Sequence, residues 1–179
     1  MEACLSHPAE TIVGMCRMCE GFSLEDVLAL ESAAIDEYGF IVMAVEDAEE
    51  PSSAMRWCYT IGLLERADHP ELIVAGPSVE VGGGLLNRLG KRVLAGGRFQ
   101  VGDRLNVGRG TARVGAVHPI QYAIDTFNVW HNLQAVGALD VPALEAVQIF
   151  APSSWFCGHH RHVQPDLSDS QARLDHGAV

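Results

Sequence analysis

The stretch WCYTIGL, residues 57–63, decides the fold class. It is rich in aromatic and β-branched side chains, which are enriched in β-strands, so we expect a strand that is central to a sheet. Gly62 is expected to mark a bulge or a place where another chain segment packs closely. Because side chains alternate along a strand, we expect two faces, one with Trp57, Tyr59 and Ile61 and the other with Cys58, Thr60 and Gly62.

The segments on either side of this stretch predict further strands. FIVMAV, residues 40–45, is a short apolar run, and the acidic loop EDAEEPSSAM separates it from the first stretch. We expect the two strands to pair antiparallel across that loop. After the turn RADHPE, a short apolar strand is expected over Leu72–Ala75.

Two helices are predicted from their end signals. Ser23 and Asp26 resemble a capping box before a run of period near 3.6, and Gly39 is placed to end that helix in a left-handed conformation. A second helix is expected from Ser78 to about Ala95, although three glycines at 82–84 weaken its first turns by about 1 kcal/mol each relative to alanine. Such glycines suggest that another part of the backbone or a side chain packs closely there.

The rest of the chain is expected to add to the same sheet. Glycine-punctuated β segments are predicted over 99–107 and 111–117, a helix over 119–133, and a strand within 143–151. We therefore predict an α+β fold, a single domain in which a mainly antiparallel, curved sheet carries two or three helices. The expected parts are an irregular cysteine-containing segment (1–22), the α+β domain (23–163) and a disordered tail (164–179).

Charge and composition exclude several classes of function. The chain of 179 residues has 12 Lys and Arg against 23 Asp and Glu, a net charge of −11. A strongly acidic protein is repelled by nucleic acid and by anionic lipid surfaces, so neither is an expected partner. The first ten residues have neither the basic start nor the apolar run of a secretory signal, so we expect a soluble cytoplasmic protein. An odd number of cysteines, five, suits a reducing compartment.

Several of these segments resemble the bacterial domain-of-unknown-function family 4262, in the subset with an N-terminal C-x-x-C. The resemblance covers 15–152, and YTIGL followed closely by HPELIV is its most specific part. The family has no established activity, so the resemblance implies a fold but no mechanism. The segments that carry it are CRMCEG, EYGF, WCYTIGL, HPELIVAG, LLNRLGKRV, GDR and VHP.

Eight cysteines and histidines are candidate metal ligands. Zinc prefers four nitrogen or sulfur ligands in a tetrahedron, and ligands paired three residues apart allow one turn to supply two of them. The C-x-x-C pair is expected to bind one structural zinc together with two ligands from either of two other groups, and the sequence leaves that choice open. The first pair is Cys16 and Cys19, and the other groups are Cys4 with His7, and Cys157 with His159, His160 and His162.

Two other uses of these residues stay open. An iron–sulfur cluster is less favoured, because it would need four thiolates and only Cys4, Cys16, Cys19 and Cys157 are suitably placed. A thiol redox role is also possible for the C-x-x-C pair, although such pairs normally start a helix and here the helix begins four residues after Cys19.

A small pocket is the basis of a second functional class. His69 and His118 each precede a proline, which holds its neighbour in an extended conformation, so either could be a positioned acid or base. Tyr59 on the YTIGL strand could line the same pocket. We expect a cytoplasmic zinc-binding accessory or interaction protein, whose partner is a protein or a small molecule. The alternatives are a small enzyme with this pocket and a C-x-x-C redox protein.

Overall fold

A computed structural model describes residues 21–46, 56–108, 110–122, 125–155 and 164–168 of the chain. The helices are α1 (Leu24–Tyr38), α2 (Leu63–Ala67), α3 (Val79–Leu94) and α4 (Asn128–Ala135), with 3-10 turns at Pro119–Tyr122, Asp125–Phe127 and Ser153–Trp155. The strands are β1 (Ile41–Glu46), β2 (Arg56–Ile61), β3 (Glu71–Ala75), β4 (Arg104–Asn106), β5 (Thr111–Ala116) and β6 (Ala146–Phe150).

The strands of the described residues form one open sheet in the order β1-β2-β3-β6-β5-β4. Every neighbouring pair is antiparallel except β3 and β6, which run parallel and pair Leu72 with Val147. β1 and β2 pair with Ile41 opposite Ile61, as expected for a hairpin across the acidic loop. The predicted α+β fold with a mainly antiparallel sheet is confirmed, and β2 has a neighbour on each side.

Helix α1 begins and ends where the sequence predicts. The Ser23 hydroxyl accepts a hydrogen bond from the backbone N–H of Asp26, and the Asp26 carboxylate accepts one from the backbone N–H of Ser23, which completes a capping box. Gly39 ends the helix in the left-handed region with φ of 82° and donates to the Ile35 carbonyl. Val27, together with Ile35, turns toward the sheet and is buried.

Helix α3 also follows its prediction. The Ser78 side chain accepts from the backbone N–H of Val81, and the helix ends at Leu94, shortly before Gly96. The close packing expected at the three glycines is confirmed at Gly82, where an added Cβ would lie 3.2 Å from the Cys58 sulfur. The two following glycines have no such neighbour, so only the first is explained by packing.

The sheet has a hydrophobic core on each face, and strand β2 contributes to both. Helices α1 and α4 cover one face, where the strand residues are Trp57, Tyr59 and Ile61, whereas α3 covers the other, where Cys58 lies. The predicted alternation along β2 is therefore confirmed. Cys58 is buried and has no disulfide partner.

Two parts of the fold differ from the sequence prediction. Helix α2 occupies the end of the stretch that was expected to continue β2, so the strand ends at Ile61. The helix expected over 119–133 is broken into two 3-10 turns followed by α4. Tertiary contacts account for the break, because the Tyr122 hydroxyl bonds to the backbone of Ala146 and the Trp57 indole N–H donates to the Thr126 carbonyl.

The packed domain extends beyond the boundary expected at residue 163. Leu167 is fully buried in the core on the α1 side of the sheet. Its backbone N–H donates to the buried side chain of Gln148, and its carbonyl accepts from the backbone N–H of His118. Residues 164–168 therefore belong to the folded unit. The first twenty residues and those after 168 lie outside the described part of the chain.

Candidate functional site

A buried carboxylate lies where strand β3 begins. Glu71 is completely inaccessible to solvent. Its Oε2 atom accepts a hydrogen bond of 2.6 Å from the Thr60 hydroxyl, and its Oε1 atom accepts from the backbone N–H groups of Gly62 at 2.8 Å and Leu64 at 3.2 Å. One side chain thereby connects β2, the first turn of α2 and β3.

The Thr60 hydroxyl extends this network to a third backbone group. It accepts a hydrogen bond of 2.8 Å from the backbone N–H of Leu72 while it donates to Glu71. The N-cap residue of helix α2 is Gly62, with φ of 113°. A glycine has no side chain that could accept hydrogen bonds from the first N–H groups of the helix. The buried carboxylate supplies the missing acceptors, which explains how a five-residue helix can begin in the interior.

Burial raises the pKa of Glu71 to about 7, because the charged form loses its hydration. The hydrogen bonds from Thr60 and from the backbone of Gly62, Leu63 and Leu64 act in the opposite direction and stabilise the carboxylate. The group therefore changes protonation state near neutral pH. Since no part of Glu71 is exposed, its carboxylate cannot contact a substrate in this conformation. Its protonation state instead affects the hydrogen bonds that connect β2, α2 and β3.

His69 lies two residues before this carboxylate and makes structural contacts. Its Nε2 atom accepts a hydrogen bond of 3.0 Å from the backbone N–H of Phe99, so the ring is neutral with its proton on Nδ1. Nδ1 lies 2.6 Å from the Pro70 carbonyl, to which it donates. The Phe99 ring packs edge-on against the imidazole. Burial lowers the pKa of His69, which keeps the ring neutral.

The other two residues of the predicted pocket have different neighbours. Tyr59 is fully buried on the α1 side of the sheet, where its hydroxyl accepts from the backbone N–H of Val129 and its ring packs against Phe127. Burial raises its pKa well above the ordinary value. His118 is half-buried and accepts from the backbone N–H of Ile120 at Nδ1. A pocket shared by Tyr59, His69 and His118 stays a prediction.

The eight predicted metal ligands all lie outside the described residues. Among the residues that the structure does describe, no group of three or more His, Cys, Asp and Glu is arranged to hold a metal ion. These eight residues are Cys4, His7, Cys16, Cys19, Cys157, His159, His160 and His162, and the choice of four among them stays a prediction.

The chain on either side of the C-terminal candidates is fixed to the domain. The Gln164 side chain pairs with both backbone groups of Ala151, accepting from its N–H at 2.9 Å and donating to its carbonyl at 2.7 Å. Trp155 packs against the core on the α3 side, below the Arg88 guanidinium. The described residues on either side of Cys157 in sequence are therefore both held by contacts with the domain.

An open hollow of about 540 Å³ lies at the start of α1. It is lined by Phe22, Ala29 and Leu30, with Gly21 and Asp26 at its side. Phe22 and Leu30 are both exposed. Gly21, one of its lining residues, lies two positions after Cys19 in sequence.

The fold and these contacts define a small α+β protein that has a buried carboxylate between two central strands. The sequence profile of a family described as "Domain of unknown function (DUF4262)" matches residues 34–154, and the chain belongs to this family. No curated protein and no solved structure matches the chain.

The matched span includes the buried carboxylate and excludes the predicted metal ligands. It includes Thr60, Gly62 and Glu71, so the network of the buried carboxylate lies within the family domain. The cysteine and histidine candidates lie before residue 34 or after residue 154, outside the matched span. In the described residues no helix has both the length and the apolar character needed to cross a bilayer.

Sequence reasoning missed Glu71. A glutamate at the start of an apolar run resembles a residue of a solvated turn, and the sequence places Glu71 in the turn RADHPE. The only available signal was indirect. Gly62, which cannot cap a helix with a side chain, is followed by LLERA, a short stretch of good helix formers that requires acceptors from elsewhere.

Proposed function

We propose that the protein is a cytoplasmic zinc-binding accessory protein that acts through an interaction with another protein. The observation that carries the zinc site is the ligand set itself, which combines the pairs C-x-x-H and C-x-x-C near the start of the chain with CGHHRH near its end. Thiolate and imidazole in mixed sets are the ligands that structural zinc prefers. The proposed core of the site is Cys16 with Cys19.

Two features of the fold support a structural metal. The α+β domain already has a hydrophobic core on each face of its sheet, so a zinc ion would hold the cysteine-containing N-terminal segment, and the sheet would stay folded without it. Gln164 and Trp155 fix the chain on both sides of Cys157, which limits the positions that this thiol can reach. Restricting a ligand in this way reduces the entropy lost when a metal binds.

The contacts of the polar residues favour an accessory role over catalysis. His69 is neutral and bonded at both ring nitrogens, and Glu71 is enclosed by Thr60 and the start of α2. Tyr59 is part of the core. Groups that are committed to internal contacts are not free to bind a substrate.

Metal analysis of untagged protein purified without oxygen tests the proposal. We expect about one zinc per chain, and Cys16→Ser to lose it while the sheet stays folded. Cys58→Ser is the matched control, because Cys58 is buried against α3 and its loss should leave the metal content unchanged. Protein free of metal, with the thiols of Cys16 and Cys19 forming a reversible disulfide, would reject the zinc site in favour of a redox pair.

The second pair of ligands is identified by the same measurement on two further variants. Cys4→Ser with His7→Ala removes one candidate set, and Cys157→Ser removes the thiol of the other. Only one of the two changes should release zinc. Ligands must lose their protons to bind, so zinc affinity should fall as the pH drops through the range in which thiolate and imidazole become protonated.

A further inference from the structure

The positive charges of this acidic protein are concentrated in one part of the chain. Seven of its 12 Lys and Arg residues lie within 88–113, which contains one of the 23 acidic residues, Asp103. The rest of the chain has five cations and 22 acids. The six cations of this stretch that the structure describes are all exposed: Arg88, Lys91, Arg92, Arg98, Arg104 and Arg113.

Four of these arginines border the edge strand β4, and we call them the basic surface: Arg88, Arg92, Arg104 and Arg113. Arg92 donates from Nη1 to the Asn106 carbonyl at 3.4 Å, which brings the side of α3 to this edge. Arg88 precedes Arg92 by one helical turn, on the same side of α3. Arg104 and Arg113 are directly paired across β4 and β5.

The four guanidinium groups lie on both sides of the edge. Leu105 and Ala112 are buried in the core beneath α3, so their neighbours Arg104 and Arg113 point to the opposite face of the sheet. Both are exposed there. An extended chain lying along β4 would therefore have arginines above and below it.

Aromatic rings hold three of the guanidinium groups in place. Arg113 lies 4.0 Å from the centroid of the Phe150 ring, and Arg92 lies 5.1 Å from that of Phe99. Arg88 lies 5.8 Å from the Trp155 ring. A guanidinium over a ring face is attracted by the ring without using its N–H donors, so these donors remain available to a ligand.

Within the described ranges, none of the four arginines forms an ion pair, whereas Arg66 pairs with Asp36 and Glu65. Like charges lie at neighbouring positions, Arg88 with Arg92 on α3 and Arg104 opposite Arg113 in the sheet, and an anionic ligand would relieve their repulsion.

We propose that the basic surface binds an acidic peptide segment of a partner protein along the edge of β4. Arginine matches carboxylates with two parallel hydrogen bonds. On the outer side of β4 the Asn106 carbonyl already accepts from Arg92, so a peptide would pair with the outward-facing backbone groups of Arg104. A long polyanion such as nucleic acid would also meet the rest of the molecule, where 22 acids oppose five cations. The inference goes beyond the proposed zinc site, because no arginine of the basic surface belongs to it.

The test is an NMR titration of the full-length protein with a synthetic peptide of alternating glutamate and threonine. The control peptide replaces each glutamate by glutamine. We expect the glutamate peptide alone to bind, with shifts concentrated in α3, β4 and β5, and salt to weaken the binding. The double variant R104Q/R113Q changes exposed side chains only and should weaken binding at least about tenfold. Arg66→Gln is the matched control, since Arg66 already has acidic partners.

Several results would overturn the proposal. Equal binding of the two peptides, or unchanged affinity in R104Q/R113Q, would show that the arginines do not recognise carboxylates. Tighter binding of a short DNA duplex than of the glutamate peptide would assign the surface to nucleic acid. Salt-sensitive self-association that is lost in R104Q/R113Q would assign it to a second copy of the chain. Zinc content is measured in the same samples, so failure of the metal site and failure of peptide binding are distinguishable.

Discussion

The hydroxyl of Thr60 and the carboxylate of Glu71 are joined by a buried hydrogen bond of 2.6 Å between two adjacent strands of the sheet. Thr60 belongs to YTIGL and Glu71 to HPELIV, the two segments that are most specific for the family resemblance. The hydrogen bond gives a physical reason for these two segments to occur close together in the sequence. The first segment supplies a hydroxyl and the N–H groups of a helix start, and the second supplies the acceptor for all of them.

The stability of the protein should depend on the protonation of Glu71. Its folded-state pKa of about 7 lies above the ordinary value of 4.5, so the folded state binds this proton more tightly than the unfolded state does. The resulting stabilisation is complete below pH 4.5 and is lost as the pH rises to about 7, with an upper limit of roughly 3 kcal/mol. Urea unfolding at a series of pH values measures it.

Substitution of Glu71 separates this effect from those of other titrating groups. Glu71→Gln keeps an acceptor for the backbone of Gly62 and Leu64 and cannot ionise, so the decline between pH 4.5 and 7 should be absent from its profile. Tyr59 interacts electrostatically with both Glu31 and Glu71. Tyr59 and Glu31 are unchanged in the variant, so the difference between the two profiles reports on Glu71. Glu71→Ala leaves buried N–H groups without an acceptor and should cost several kcal/mol at every pH. Identical profiles for Glu71→Gln and the parent protein would contradict the assignment.

Replacement of Gly62, which follows β2, should lower the free energy of unfolding more than replacement of a glycine with open space around it. The Gly62 φ of 113° is unfavourable for other residues, and an added Cβ would lie 2.9 Å from the backbone oxygen of Gly39. Gly96 is the matched control, since it has φ of 92° and no atom within 4 Å of the added Cβ. Gly96→Ala should cost about 1–2 kcal/mol of unfolding free energy for backbone strain, and Gly62→Ala about 1–3 kcal/mol more for the steric conflict. Equal losses would show that the contact is not tight.

Two glycines of α3 should respond differently to replacement by alanine. Gly84→Ala places a methyl group where no atom lies within 4 Å, so it should stabilise the helix by up to about 1 kcal/mol. Gly82→Ala brings its Cβ within 3.2 Å of both the Cys58 sulfur and a methyl group of Val74, and this crowding should offset the helix gain. Thermal unfolding of the two variants compares them directly.

His69 should be neutral in the folded protein, with its proton on Nδ1. Because burial lowers its folded-state pKa, the contribution of His69 to stability is present above the unfolded-state pKa near 6.5 and is lost as the pH falls below it. Ring-nitrogen NMR shifts report the tautomer. His69→Leu leaves the backbone N–H of Phe99 without its acceptor and should cost roughly 1–3 kcal/mol. A ring protonated at neutral pH would contradict this picture.

The sequence was most informative where local rules determine structure. Capping by Ser23, termination at Gly39 and the alternation along β2 depend on neighbours within a few residues, and all three are confirmed. Helix α2 escaped prediction because five residues are too few for a periodic pattern and its cap comes from Glu71. The break in the helix expected over 119–133 has a similar origin in distant partners.

The candidate sites could be predicted to different degrees. Cysteine and histidine spacing is a local signal, so a metal site could be proposed from the sequence alone. The positive charge of 88–113 can be counted from the sequence, but the arrangement of the basic surface along β4 cannot be predicted from it. Only in the folded sheet does Arg92 contact β4 and does Arg104 lie opposite Arg113 on the neighbouring strand.

The single parallel pairing, between β3 and β6, divides the sheet into two halves that are each continuous in sequence. β1, β2 and β3 with α3 come from the chain before Gly96, and β4, β5 and β6 come from the chain after it. Each half is built from antiparallel neighbours. A chain divided between Gly96 and Gly97 would therefore keep every antiparallel pair within one fragment, and the two fragments should reassociate along β3 and β6 as a split protein.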